Sequence, residues 1–301
     1  MQRMLRLLSL LTVLVLFPLF ASGETVVTSF YPIWLLALNL ADGVPGLEVR
    51  NLAAPDTGCL HDYQLQTGDM KALAEADLFL VNGAGMESYL DLVYSAFPGL
   101  PVIQAADGIP LLSGMEALQI GEEESTDTEV NAHVWLSASN AARMAANLAG
   151  PMMERCPEHQ ARIQQNLETL TARLEKLDTE LKEGLADLPR RGIITFHEAF
   201  PYFASAYGLE VLAVVNREPG ETLTPSQMAA LADAILDLGT PPLFVEPQYE
   251  DLSARTLAAE TGAKIYVLDP VVTGPEKNVP LDYYDTVMRT NMETLRTALS
   301  E

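Results

Sequence analysis

The strongest constraint on how this chain folds is a strand–helix alternation that occurs twice. From Glu24 onward, "TVVTSF", "GLEVRNLAA", "DLFLVNGA" and "PVIQAA" read as strands, with "PIWLLALNLADG" and "TGDMKALAEA" as helices between them. After "PRRG" the alternation resumes, with "GIITF", "LEVLAVV", "PLFVEP" and "KIYVLDP" as strands. The helices of this second block are "EAFPYFASAYG", "TPSQMAALADAILDLG" and "SARTLAAETG". Strands joined through helices pair in parallel by right-handed crossovers, so each block reads as an α/β lobe.

Between the blocks, Met152 to Leu188 follows another rule. Ile163, Leu167, Leu170, Leu174, Leu177, Leu181 and Leu185 recur every three or four residues and trace one face of a long helix. The same pattern fits a coiled-coil dimer, but about three heptads is the lower limit for one. The better reading is a single helix laid across both lobes of a monomer. The expected division is therefore 24–151 for the N-terminal lobe, 152–188 for the linking helix and 189–301 for the C-terminal lobe.

Residues 1–23 stand apart from this plan. Arg3 and Arg6 precede an apolar run from Leu7 to Phe20, and Ala21-Ser22-Gly23 offers a cleavage site for a secretory signal. A retained membrane anchor is the alternative, although the run is short and carries Pro18 near its end. No cysteine closes the segment, which argues against a lipid-anchored form. The expectation is an exported protein, in the periplasm or on the outer face of the cytoplasmic membrane. With 41 acidic against 18 basic residues, the net charge of −23 repels nucleic acid and anionic lipid. Export also permits a disulfide, and the two cysteines, Cys59 and Cys156, leave that question open.

Chemistry gathers at the strand ends. His61 lies in the loop after the second strand, His133 in "TEVNAHVWLS", and His197 directly after "GIITF"; Asp269 and Glu246 end the later strands "YVLDP" and "LFVEP". Ligands of open α/β sheets bind beyond the carboxyl ends of strands. Imidazoles with one carboxylate suit zinc and similar divalent ions rather than calcium or magnesium. Taken singly, each residue has an ordinary role. His133 beside Trp135 could be a packed ring, His159 a solvated helix residue, and Asp269 the end of a strand. Cys59 could be a thiolate ligand, but a small buried thiol or half of a disulfide suits it better. Glu246 could orient an imidazole from behind.

The motifs resemble a known family, the solute-binding proteins of zinc and manganese ABC importers (ZnuA/TroA-like, cluster A-I). "TFHEAFPYFASAYGL" is similar to that family's F-H-D-A-F-x-Y-F-A-x-x-Y-G-L. "HDYQLQTGD" resembles H-x-Y-E-P-T-x-x-D, and "NAHVWLSAS" resembles D-P-H-x-W-L-S-P. The resemblance implies two Rossmann-like lobes with parallel sheets joined by one long backbone helix. It implies metal ligands at His61, His133, His197 and Asp269, with Glu246, Trp135 and Tyr63 backing them. It also implies a receptor rather than an enzyme, carrying Zn²⁺ (or Mn²⁺) to a membrane permease. The chain departs from the family pattern at Gln64, Leu65, Asn131, Ala132 and Ala138. It has the acidic run "GEEESTDTEV" (121–130) where many zinc members carry a histidine-rich loop. Outside this class, the rival is a secreted zinc-dependent hydrolase using the same histidines.

Overall fold

The computed structural model describes residues 23–61, 63–113, 130–215, 223–248 and 252–300. Apart from Gly23 and Val130, the expected signal segment and the acidic run lie outside the described residues. All eight expected strands form. The first sheet comprises β1 (Glu24–Thr28), β2 (Leu47–Asn51), β3 (Leu78–Val81) and β4 (Val102–Gln104) in the order β2-β1-β3-β4, every pair parallel. The second comprises β5 (Gly192–Thr195), β6 (Glu210–Val214), β7 (Leu243–Val245) and β8 (Ile265–Val267) in the order β6-β5-β7-β8, again all parallel. The two orders are the same topology. Each sheet therefore reverses direction beside its central strand, at β1/β3 and at β5/β7, and opens a crevice there.

Burial explains the strand composition. β3 reads "LFLV" with every side chain buried, because helices cover both faces of a parallel sheet. Around the sheets lie α1 (Tyr31–Ala41), α2 (Thr67–Ala74), α3 (Leu90–Ala96), α4 (Ala138–Arg155), α5 (Gln160–Leu185), α6 (Pro201–Tyr207), α7 (Pro225–Asp237), α8 (Leu252–Thr261) and α9 (Tyr283–Leu299). Local signals set several ends. Thr224 caps α7 by accepting from Gln227 N while Gln227 Oε1 accepts from Thr224 N, a capping box with Pro225 in the first turn. Gly208 ends α6 with φ 69°, a left-handed conformation that glycine adopts without Cβ strain.

The long helix is shorter than its sequence pattern predicts. Met152 to Arg155 belong to α4, and α5 starts at Gln160 after a 3₁₀ turn over Pro157–His159. Pro157 has no N–H to donate and disfavours helical geometry at the residue before it, and Cys156 accordingly leaves the helix with ψ 64°. From Gln160 the expected face is the observed one. Ile163, Leu170, Leu174, Leu177, Leu181 and Leu185 are buried, and Leu167 packs against the same core. That core continues from β1 and α1 through α4 and α5 to α6 and α9, so both lobes share it.

Polar contacts fasten the arrangement. Arg173 on α5 reaches the wholly buried carboxylate of Asp285 on α9 at 3.1 Å, and also donates to Asn39 Oδ1 and Leu281 O. Three elements, α1, α5 and the entry to α9, are tied through this one guanidinium. Among the described residues, no helix is long and apolar enough to cross a membrane. Neither Cys59 nor Cys156 is in a disulfide.

Candidate metal centre

The carboxyl ends of both sheets face one another, and the loops leaving them bring the histidines together. His197 follows β5 by two residues and is 3% exposed; His133 precedes the 3₁₀ turn Val134–Leu136 and is 2% exposed. Their Nε2 atoms stand 3.1 Å apart. The ring of His61 lies beside both, with centroids 5.4 Å from His133 and 6.2 Å from His197. Three sequence candidates from three loops thus share one small volume.

The ring of His133 is held from behind. Asn131 Oδ1 accepts from His133 N at 3.0 Å and lies 3.3 Å from His133 Nδ1, while Asn131 Nδ2 donates to Glu198 O. Occupation of Nδ1 leaves Nε2 to face the pocket. Trp135 is buried with its ring 5.2 Å from that of His133, and its Nε1 donates to Pro270 O across the lobes. Tyr284 donates to Trp135 O, and Tyr202 donates to Asn131 O. Tyr63 does its work one step away. Its hydroxyl donates to Asp69 Oδ2, which also accepts from Gln66 N at the start of α2, and so braces the loop carrying His61.

The two strand-end carboxylates lie near each other. Asp269 Oδ1 accepts from Val271 N at 2.7 Å, while Asn291 on α9 holds the Asp269 backbone by two hydrogen bonds. Val271 takes φ 63°, costly for a β-branched residue, and the surrounding contacts hold it there. Burial raises the Asp269 carboxyl above its usual range, partly offset by the Val271 N–H. Glu246 is pushed up to about 8, by burial first and by Asp269 second, against the lowering bond from Gln248. Its Oε1 is buried without a hydrogen-bond partner. Two buried carboxyl groups that oppose each other's ionisation form a wall that a cation would relieve.

The donor atoms that lie within 4.8 Å of one another belong to Cys59, His133 and His197. His61 borders this trio without joining it, and Asp269 is not part of it. The sequence reading favoured packing or a disulfide for Cys59, whereas its Sγ stands 3.4 Å from His133 Nε2. The separation of 74 residues between them gave no local signal. His159 lies in the 3₁₀ turn before α5, away from the cluster.

Burial and the neighbouring imidazoles of His197 and His61 hold the His133 pKa well below 6.5, so the ring is neutral and ready to ligate. A depressed folded-state value favours folding above the unfolded value and withdraws that support as pH falls. The metal-free protein is therefore expected to lose stability below pH 6.5, where the unfolded ring takes up a proton that the folded one refuses. Urea midpoints across that range check this, and His133→Phe should flatten the dependence.

Two α/β lobes closing over a shared ligand-lined cleft define the periplasmic-binding-protein fold. The chain superposes on "Crystal structure of ZnuA" with TM-score 0.77 and 25% identity, covering 92% of this chain and all of that one. It also superposes on the Mn²⁺ complex of the binding protein FpvC from Pseudomonas aeruginosa with TM-score 0.79 and 24% identity, covering 92% and 98%. The chain belongs to the ZnuA family, "Zinc-uptake complex component A periplasmic", whose profile matches residues 26–298. Zinc-binding protein AdcA of Streptococcus pyogenes serotype M3 is 28% identical over 295 residues, which are 92% of this chain and 56% of AdcA. The chain thus spans about half the length of that relative. The manganese ABC transporter substrate-binding lipoprotein PsaA of Streptococcus anginosus is 26% identical over 248 residues, covering 80% and 79%.

Proposed function

We propose that this chain is the exported metal receptor of an ABC importer. It captures Zn²⁺ between its lobes through His61, His133, His197 and Asp269 and presents it to a membrane permease. The N-terminal lobe (24–151) and the C-terminal lobe (189–301) each supply two ligands, and α5 (Gln160–Leu185) is the shared backbone. The observation that carries this reading is the pair of buried imidazoles whose Nε2 atoms face each other at 3.1 Å. Two nitrogens bound to one tetrahedral zinc at about 2.05 Å would stand about 3.3 Å apart. The buried, mutually opposed carboxyls of Glu246 and Asp269 supply the compensating negative charge.

Manganese is the second cargo to weigh, because the PsaA relative bears its name. A set dominated by imidazole favours zinc on ligand softness and on the affinity order of divalent ions. The hydrolase reading gains no support from the relatives above. A catalytic zinc keeps an open position for water, while a shell filled by protein donors leaves none. Delivery follows from the cross-lobe hydrogen bonds at Trp135, Tyr202 and Tyr284: docking on the permease would break them and spread the cleft.

Metal analysis of the protein purified without added metal tests the proposal. About one tightly held zinc per chain is expected, as one closed site implies. A protein devoid of metal that takes none up on titration would remove the proposal. Asn131→Ala should weaken zinc binding by about 10–100-fold, the usual cost of removing a residue that orients a ligating imidazole. Calorimetric titration of the variant checks it.

A further inference from the structure

We infer that Cys59 is itself a donor of this pocket, and that its sulfur biases the pocket toward thiophilic divalent ions and against manganese. The inference rests on the metal-capture reading above. A tetrahedral ion with Zn–S of about 2.3 Å and Zn–N of about 2.05 Å places sulfur about 3.6 Å from nitrogen. Cys59 Sγ lies 3.4 Å from His133 Nε2, next to a nitrogen–nitrogen edge of 3.1 Å to His197. All three donor atoms fall within 4.8 Å of one another, the span of a single coordination sphere. Three donors from three separate loops, two of them buried imidazoles, thus bring two edges close to tetrahedral values and the third within 4.8 Å.

The loop that delivers the sulfur is built to do so. Gly58 takes φ 85°, a left-handed turn that aims Cys59 inward, and the next residue, Leu60, is fully buried and pins the loop to the core. Cys59 is outside any disulfide. Meanwhile Asp269 Oδ1 is engaged by Val271 N, and the carboxylate stands outside the trio. On coordination the sulfur–metal bond forms as the thiol proton leaves to solvent. Thiolate prefers zinc, cadmium and cobalt to manganese, which favours oxygen donors.

Cobalt and cadmium titrations of the metal-free full-length chain test the sulfur directly. One cobalt ion should bind per chain with a sulfur-to-cobalt charge-transfer band in the near ultraviolet. Cys59→Ser should lose that band, and Cys156→Ser should keep it. In zinc–manganese competition, Cys59→Ser should narrow the preference for zinc by at least about tenfold, equivalent to about 1.4 kcal/mol. Zinc should also protect Cys59 of the unaltered protein from alkylation, a readout that needs no variant to fold. Stoichiometric cobalt binding without the band, with Cys59→Ser leaving the metal preference unchanged, would overturn the inference and leave metal capture standing. Absence of any bound cobalt or zinc in the unaltered chain would overturn both.

Discussion

Replacing His133 with alanine is expected to reduce zinc affinity by more than about a hundredfold. Zinc sites formed by folded protein donors carry apparent binding free energies of about 10–16 kcal/mol. Shared over four donors, that is about 2.5–4 kcal/mol for each, and every 1.4 kcal/mol is about tenfold in Kd. His133 carries more than an average share, because it is the ring that touches the other donors: Nε2 faces His197 at 3.1 Å and Cys59 at 3.4 Å. The alanine variant also leaves the Asn131 amide oxygen with one fewer partner near Nδ1. Direct titration of zinc into the metal-free variant measures the loss. Circular dichroism of the same sample checks that the fold persists.

The second large effect concerns the frame. Arg173→Met is expected to cost about 3–5 kcal/mol, the usual penalty for stripping a buried carboxylate of its partner. Asp285 is fully buried, and burial already lifts its carboxyl above the usual range while Arg173 pulls it back. Removing the guanidinium leaves burial opposed only by the charge of Arg289 and a backbone hydrogen bond. The variant should unfold at a lower urea concentration, with the loss shrinking at acidic pH as Asp285 takes up a proton. The double variant Arg173→Met with Asp285→Leu should recover much of the loss, since two apolar groups of similar volume restore packing without a buried charge.

The architecture was legible because buried parallel strands leave a clear trace. Runs such as "LFLV" and "VVT" are apolar or β-branched and sit near turn-forming residues, and all eight strands lie where such runs were expected. Helices that bury small residues left less of a trace. α4 covers the core mostly with Ala138, Ala141, Ala142, Ala145 and Ala149, and only Met144, Leu148 and Met152 mark its buried face with large apolar side chains. α9 did carry a signal, in Tyr284, Val287, Met288, Leu295 and Leu299, yet polar residues interrupt it, and Asn291 on its buried face serves the site instead of the core.

For the site, the strand-end position of His197 and the motif around His133 were enough to bring both rings to one point. The reach of Cys59 was not legible. Its distance from His133 depends on how the loop between β2 and α2 folds back over Leu60, and no spacing in the sequence encodes that. Nor does a strand-end aspartate reveal whether its oxygen is aimed at a metal or taken by the N–H two residues on, as at Val271.

The central claim is that one inter-lobe site takes zinc in preference to manganese. Competition titration of the metal-free protein with both ions tests it most directly. A single zinc per chain is expected, bound tightly enough to displace manganese completely at equal concentrations. Manganese held more tightly than zinc, or no saturable binding of either ion, would contradict it.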